Sequence, residues 1–377
     1  MSRKKKSPRQ INAELRGRTP PTVGTGRDDP GTVPASRRRQ SELIERIKES
    51  ADKLAGDRAS RGDLKILSRT LRELRYALKV FTPYRGCRKV TVFGSARTPE
   101  DDPCYQQGVE FGRRIAEYDW LVLTGAGGGI MEAAHVGCGR EHAMGLNILL
   151  PFEQEANPII AGDPKLVHMK YFFTRKLMFV KETSAICLLP GGFGTLDEGL
   201  EVLTLLQTGK RDPAPVVFLD RAGGDYWKAF DRFIHEHVAG GGMVDEWDFS
   251  LYKITDSVDE AIDEILRFYR VYHSLRYVRE KLVLRLLAPP SDELLARIND
   301  EFRNMLIEGR FELSGPLRAE KDEPELADLT RLVLSFDRRA CGRLRELIDF
   351  LNEHVTVPAG AQQPIEGSCP ARDGTTG

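Results

Sequence analysis

The residues best suited to chemistry stand in one run, Pro190-Gly191-Gly192-Phe193-Gly194-Thr195-Leu196-Asp197-Glu198. A glycine turn between a strand and a helix binds anions, because backbone N–H groups converge on one point there. Gly191, Gly192 and Gly194 let the backbone approach a ligand where any Cβ would intrude. Thr195 adds a hydroxyl at the helix entrance, and Glu198 a carboxylate one turn further on. The same residues have a purely structural reading. Thr195-Leu196-Asp197-Glu198 fits a capping box, in which Thr195 and Glu198 only close off the helix start. The helix dipole also favours Asp and Glu in a first turn. A second glycine turn, Gly125-Ala126-Gly127-Gly128-Gly129, and a small-residue turn, Gly94-Ser95-Ala96, follow the same plan.

The elements that must position these turns are legible around them. Residues 183–189 are apolar and uncharged, as in a buried parallel strand. Leu196, Leu200, Leu203 and Leu206 then recur at helical spacing. Strands are expected at 89–93, 120–124, 144–150, 166–169, 215–220 and 253–255, with helices at 103–118, from 130, and at 171–181, 225–238 and 258–269. A loop is expected at 153–163. Strands alternating with helices define an α/β fold, a Rossmann-like doubly wound parallel sheet. Such sheets bind ligands beyond the carboxyl ends of their strands, where the strand order switches. All three small-residue turns are placed at such ends.

The chain has 377 residues with 56 basic and 56 acidic side chains, so net charge selects no partner. That length accommodates a full α/β domain with additions. Residues 1–40 are basic and poor in large apolar side chains, the composition of a disordered tail rather than of a nucleic-acid-binding module. Residues 41–84 are expected to form N-terminal helices, with stripes at Leu43, Ile44 and Ile47 and from Leu64 to Leu78. Those stripes need cover from the core domain or from a second subunit. The α/β domain is assigned to 85–272. Residues 277–355 read as β-α-β-β-α, a small α+β module, and 356–377 as a disordered tail. No run of about eighteen apolar residues predicts a membrane span, and no apolar h-region marks a secretory signal. The cysteines form no CxxC pair, which points to a reducing cytoplasm without disulfides and away from zinc. His135, His142 and His168 lack metal-ligand spacing, so no metal is expected.

An ordinary dinucleotide site is excluded by the first turn, which lacks GxGxxG. A Walker A lysine is also missing. The glycine turns suit a single phosphate or a mononucleotide. Arg175 and Lys176 are either cations of that site or part of a solvated helix face.

The run from Pro190 to Glu198 matches PGGxGTxxE, the signature of the LOG ("Lonely guy") proteins, which are often mislabelled lysine decarboxylases. Phe172-Phe173-Thr174-Arg175-Lys176-Leu177-Met178-Phe179 resembles that family's second motif. Gly127-Gly128-Gly129-Ile130-Met131-Glu132 resembles its glycine-rich loop, and Gln207-Thr208-Gly209-Lys210 is similar to longer bacterial members. The resemblance covers about residues 85–270. It implies hydrolysis of a nucleoside 5′-monophosphate, such as AMP or a cytokinin nucleotide, to free base and ribose 5-phosphate. It implies Glu198 and Arg175 as catalytic residues and Lys176 and Thr204 as substrate-binding ones. Gly191, Gly192, Gly194 and Thr195 would hold the 5′-phosphate, with Gly127, Gly128, Gly129 and Ser95 beside the nucleotide. It implies no cofactor, and a homodimer or larger assembly in which a second subunit helps to wall the site. Nothing around Lys176 supplies a pyridoxal phosphate site for a decarboxylase. A carrier of a phosphorylated cofactor, like the molybdenum cofactor carriers, and a nucleotide-sensing regulator are the other functions this fold admits. The pairing of Glu198 with Arg175 favours the enzyme, because a carrier needs only the glycine cradle.

Overall fold

The computed structural model describes residues 35–150 and 155–358. The tails expected before residue 35 and after 358 lie outside the described residues. Contacts divide the chain into two units, 1–66 and 67–377. In the first, helix α1 (Ala35–Lys53) begins inside the stretch expected to be tail. It leaves Leu43, Ile44 and Ile47 exposed. Helix α2 (Arg61–Phe81) starts behind a capping box: Asp63 N–H donates to Ser60 Oγ, and Ser60 N–H to the Asp63 carboxylate. α2 continues into the second unit, where Ala77 and Phe81 are buried.

The second unit carries a seven-stranded sheet of order β4-β3-β2-β1-β5-β6-β7. Its strands are β1 (Lys89–Phe93), β2 (Leu121–Thr124), β3 (Ala143–Ile148), β4 (Leu166–Met169), β5 (Ala185–Leu188), β6 (Val216–Leu219) and β7 (Lys253–Thr255). All neighbouring pairs are parallel. The helices between them are α3 (Pro103–Ala116), α4 (Ile130–His142), α5 (Phe172–Glu182), α6 (Phe193–Gln207), α7 (Tyr226–Phe233) and α8 (Val258–Phe268). α7 passes into a π-turn at Ile234–Ala239, where a single helix to residue 238 was expected.

Strand residues alternate between two cores, as a sheet covered on both faces requires. Val90, Val92, Val122, Cys187 and Val217 pack with Phe111 and Ile115 of α3, Ile130 and Ala134 of α4, and Ile262 and Ile265 of α8. Phe93, Leu121, Leu123, Ile186, Leu188 and Phe218 point the other way. They meet Ala77 and Phe81 of α2, Met178 and Phe179 of α5, Val202 and Leu206 of α6, and Trp227 of α7. The chain begins mid-sheet at β1, works outward to β4, and returns to the other side of β1 as β5. The turns leaving β1 and β5 therefore diverge, and a crevice opens at their carboxyl ends.

A four-stranded antiparallel sheet of order β10-β11-β9-β8 follows. It consists of β8 (Tyr272–Val278), β9 (Lys281–Leu286), β10 (Leu306–Ser314) and β11 (Thr330–Phe336), with helices α9 (Asp292–Glu301) and α10 (Cys341–His354). The module thus has six elements, β-β-α-β-β-α, and starts earlier than the five elements expected from residue 277. β8 was missed because its hairpin turns at Arg279-Glu280, with Arg279 at φ 54°, instead of at an Asn-Gly or Asp-Gly pair. Cys104, Cys138, Cys187 and Cys341 are free and buried. Cys87 is disulfide-bonded, which corrects the reading of a chain without disulfides. The absence of CxxC speaks only to pairs close in sequence.

Candidate functional site

The crevice between the ends of β1 and β5 holds a cavity of about 800 Å³. The loop after β1 lines it through Gly94, Ser95 and Arg97, and the loop after β5 through Gly191, Gly192, Gly194 and Thr195. Phe93, Met131, Phe172 and Phe179 supply an apolar wall. The two turns are tied together directly: Ser95 N–H donates to the Pro190 carbonyl at 3.1 Å. A Cβ on Gly191 would fall onto the Thr195 hydroxyl and within 2.8 Å of Ser95 N, so only glycine permits this approach. At Gly192 and Gly194 a Cβ would meet no atom within 4 Å, so these glycines keep the cavity side open.

Helix α6 begins at Phe193 with Gly192 as its cap and no side-chain capping bond. Thr195 therefore lies inside the first turn, its N–H bonded to the Gly192 carbonyl at 3.0 Å. The capping box read from Thr195 and Glu198 is not formed, and Glu198 is released from that duty. The Phe193 and Gly194 N–H groups precede the first intrahelical bond and sit at the positive end of the helix dipole. That end faces the cavity, which makes it an anion cradle.

Glu198 stands about one and a half turns into α6 and is only 5% exposed. α5 packs beside it and contributes two cations. Arg175 Nη2 lies 3.9 Å from one Glu198 oxygen, and Lys176 Nζ lies 3.3 Å from the other. Lys176 also reaches Asp197 at 2.9 Å and Glu201 at 2.7 Å. Burial pushes the Glu198 carboxyl above its ordinary range, with Lys176 and Arg175 opposing. Burial pulls the Arg175 guanidinium down, against the Glu198 and Asp197 charges. For Lys176 the hydrogen bonds to Glu201 and Asp197 outweigh burial, and its proton is held more firmly. Arg175 also lies 5.1 Å from the Phe172 ring centroid and 5.7 Å from that of Phe179. Its Nε is buried without a hydrogen-bond partner. Neither cation is on a solvated face: their side chains are 14% and 16% exposed.

Of the residues singled out in the sequence, Ser95, Arg175, Gly191, Gly192, Gly194, Thr195 and Glu198 come together on the cavity. Lys176 stands behind Glu198. Thr204 is elsewhere, exposed on α6 and bonded to the Leu200 carbonyl. Gly127, Gly128 and Gly129 bring the second turn against the first rather than onto the cavity wall, which Gly125 reaches instead. Gly129, at φ 61°, caps α4, and a Cβ there would strike the Ser95 carbonyl.

Three supports were not found from sequence. Asn157 donates to the Gly127 carbonyl at 3.1 Å and touches buried His135, which also meets Thr124 and the Met144 carbonyl. Burial pulls His135 down to about 4, so it acts as a neutral brace of the glycine turn. Glu73 of α2 accepts from Lys170 N–H and from the Thr174 hydroxyl, both at 2.9 Å, and fixes the entry to α5. A carboxylate among Leu71, Leu74, Ala77 and Leu78 was the available signal for it. Tyr226 donates to the Gly191 carbonyl at 2.5 Å from across the loop.

A family model described as "Possible lysine decarboxylase" matches residues 128–265. A rice protein (Oryza sativa subsp. japonica), described as a probable cytokinin riboside 5′-monophosphate phosphoribohydrolase, is 26% identical over 184 residues, which are 47% of this chain and 76% of that one. A cytokinin riboside 5′-monophosphate phosphoribohydrolase of Arabidopsis thaliana is 30% identical over 161 residues, 41% of this chain and 71% of the relative. Among solved structures, the molybdenum cofactor binding protein of Rippkaea orientalis is 18% identical, with a TM-score of 0.34 over 47% of this chain and 94% of that one. That likeness is too low to carry function. The stretch matched by the family model contains both the α5 cations and the glycine turn that opens α6, and motif and relatives agree: this chain belongs to the LOG family.

Proposed function

We propose that the chain hydrolyses the N-glycosidic bond of a nucleoside 5′-monophosphate, giving free base and ribose 5-phosphate. The observation that carries this reading is the carboxylate of Glu198, buried within salt-bridge distance of Arg175 and Lys176 and opening onto the same cavity as the glycine cradle. In this reading the cradle from Gly191 to Thr195 takes the 5′-phosphate through backbone N–H groups and the Thr195 hydroxyl. The ribose then lies towards Glu198. As the bond from C1′ to the base breaks, positive charge develops on the sugar, and the carboxylate stabilises it. Glu198 also orients the attacking water and accepts its proton, the hydroxyl going to C1′. The departing base takes up a proton in exchange. Arg175 binds and polarises the substrate. Lys176, held by three carboxylates, acts through Glu198 by keeping it ionised and aimed. The apolar wall of Phe93, Met131, Phe172 and Phe179 suits the flat face of a base.

A second copy of the chain completes the site in this reading. Phe172, Phe173, Leu177, Phe193 and Leu200 are exposed on the two helices that carry the charged groups, and Phe193 is 93% exposed. Exposed apolar side chains of this kind beside a cavity suit an association surface. The discriminating experiment compares wild type with Glu198→Gln on AMP. Release of adenine by wild type, with binding but no release by the variant, supports the hydrolase. Binding without release by wild type supports the carrier or the sensor.

A further inference from the structure

A second cleft, of about 350 Å³, lies at the opposite end of the parallel sheet. Its walls include Arg88, just before β1; Thr183 and Ser184, just before β5; and residues 210–214, leading into β6. β8 of the C-terminal module closes it with His273 and Ser274. Arg88, Lys181, Lys210 and Arg211 all line this cleft, against a single lining carboxylate, Asp212. Glu182 lies nearby, paired with Lys181 at 2.6 Å and 3.8 Å from Lys89. The local field is positive enough to register on His273. Burial first, and then the charges of Arg88, Arg285 and Arg331, pull its imidazole down to about 4.

Cations near helix carboxyl ends have an ordinary duty, which is to offset the dipole. Arg211 performs part of it, since its Nη2 donates to the Thr183 carbonyl at 2.6 Å. Arg88 is engaged, its guanidinium 3.7 Å from the Tyr269 ring centroid, and Lys181 is paired with Glu182, so Lys210 and Arg211 carry what remains. Arg211 Nη1 is buried and has no hydrogen-bond partner. Lys210 is exposed and makes no ion pair among the described residues. A buried guanidinium N–H left unmatched is costly, and a turn of the Arg211 side chain towards the cleft would give it an anion oxygen as acceptor.

We infer that this cleft is a second anion site, which takes a small oligophosphate, either free or as the diphosphate of a nucleotide. Its position gives it a route to the first site. α5 and α6 carry Arg175 and Glu198 towards the nucleotide cavity, and the residues at or just beyond their far ends, Lys181 and Lys210-Arg211, wall the cleft. An anion here joins the α/β domain to the module through His273 and Ser274. Any effect on turnover rests on the phosphoribohydrolase reading, whereas the binding itself does not.

The test is calorimetric titration of the full chain at low ionic strength with inorganic pyrophosphate, and separately with ADP. It compares wild type, Lys210→Gln and the double variant Lys210→Gln/Arg211→Gln. The expected result is one binding event common to all three proteins, assigned to the glycine cradle. A second event weakens about tenfold in Lys210→Gln and disappears in the double variant. Lys210 is exposed, so the single variant keeps the test open if the double variant misfolds. The tighter of the two ligands names the source of the phosphate groups. Wild type showing only the event that the double variant loses would support the cleft while failing the cradle, so the two readings fail separately. A folded double variant that binds both ligands as wild type does would overturn the inference.

Discussion

Glu198 is a carboxylate kept from water beside two cations, and its behaviour with pH follows from that balance. Burial raises its pKa above the ordinary 4.5. In the proposed reaction the ionised form is the working one, so the acid limb of kcat/KM is expected above that value. A profile flat down to pH 4 would show that another group carries the reaction. The same shift acts on stability with the opposite sign. Glu198 favours the fold most below its ordinary pKa, and that contribution is lost as pH rises through the raised value. Activity and stability are therefore opposed at this residue. Glu198→Gln should lower kcat by about 10²–10⁴-fold while nucleotide affinity stays within about threefold. Arg175→Lys keeps the charge but loses the planar fork, and kcat/KM should fall at least about tenfold. Near-native turnover by this variant would remove Arg175 from the chemistry. At this scale the sequence was readable where the motif was dense. The glycines and Glu198 stood out by type and spacing, whereas Arg175 was singled out only by the family resemblance. The burial of Arg175 on Phe172 and Phe179 was not legible, because helical periodicity cannot tell which face a neighbouring helix covers.

At the scale of elements, strand–turn–helix order was legible because apolar strands and glycine turns leave strong local signals. β8 was hidden because its hairpin turn carries no glycine, and the sequence left the Thr195–Glu198 capping box open as an alternative because it does not show that the helix opens two residues earlier, at Phe193. Buried charge was also invisible. In the C-terminal module Glu320, between β10 and β11, lies 2.7 Å from Arg285 and 3.1 Å from Arg331, and all three side chains are essentially buried. Burial would raise its pKa, but the Leu317 N–H and the two arginines prevail and hold it below the ordinary range. Its contribution to stability is therefore present above its ordinary pKa and lost as pH falls through the lowered one. Glu320→Ala leaves the buried Arg331 without a carboxylate and Arg285 with Glu323 alone, and should cost about 3–5 kcal/mol in urea unfolding at pH 7. A cost below about 1 kcal/mol would mean that water and the existing Glu323 pair satisfy both arginines.

Across the molecule, the two sheets share one core. Ile262, Phe268, Tyr272, Leu284, Leu334 and Leu347 belong to a single cluster. Asn352 of α10 accepts from Val271 and Tyr272 N–H and donates to the Phe268 carbonyl. A chain ending near Arg276 would cut β8 and bare this core. It should fail to fold, although the sequence pattern alone suggested a separable module. The exposed apolar face on α5 and α6 predicts a dimer or larger species by light scattering, and Phe193→Asp should shift it towards monomer. A monomeric wild type at working concentration would contradict the proposed second wall of the site. The most direct measurement is the product balance when the full chain is incubated with AMP and followed by chromatography and phosphorus NMR. The account predicts adenine and ribose 5-phosphate in equal amounts, with no inorganic phosphate. AMP that is bound but unchanged, or that yields adenosine and phosphate, would contradict it.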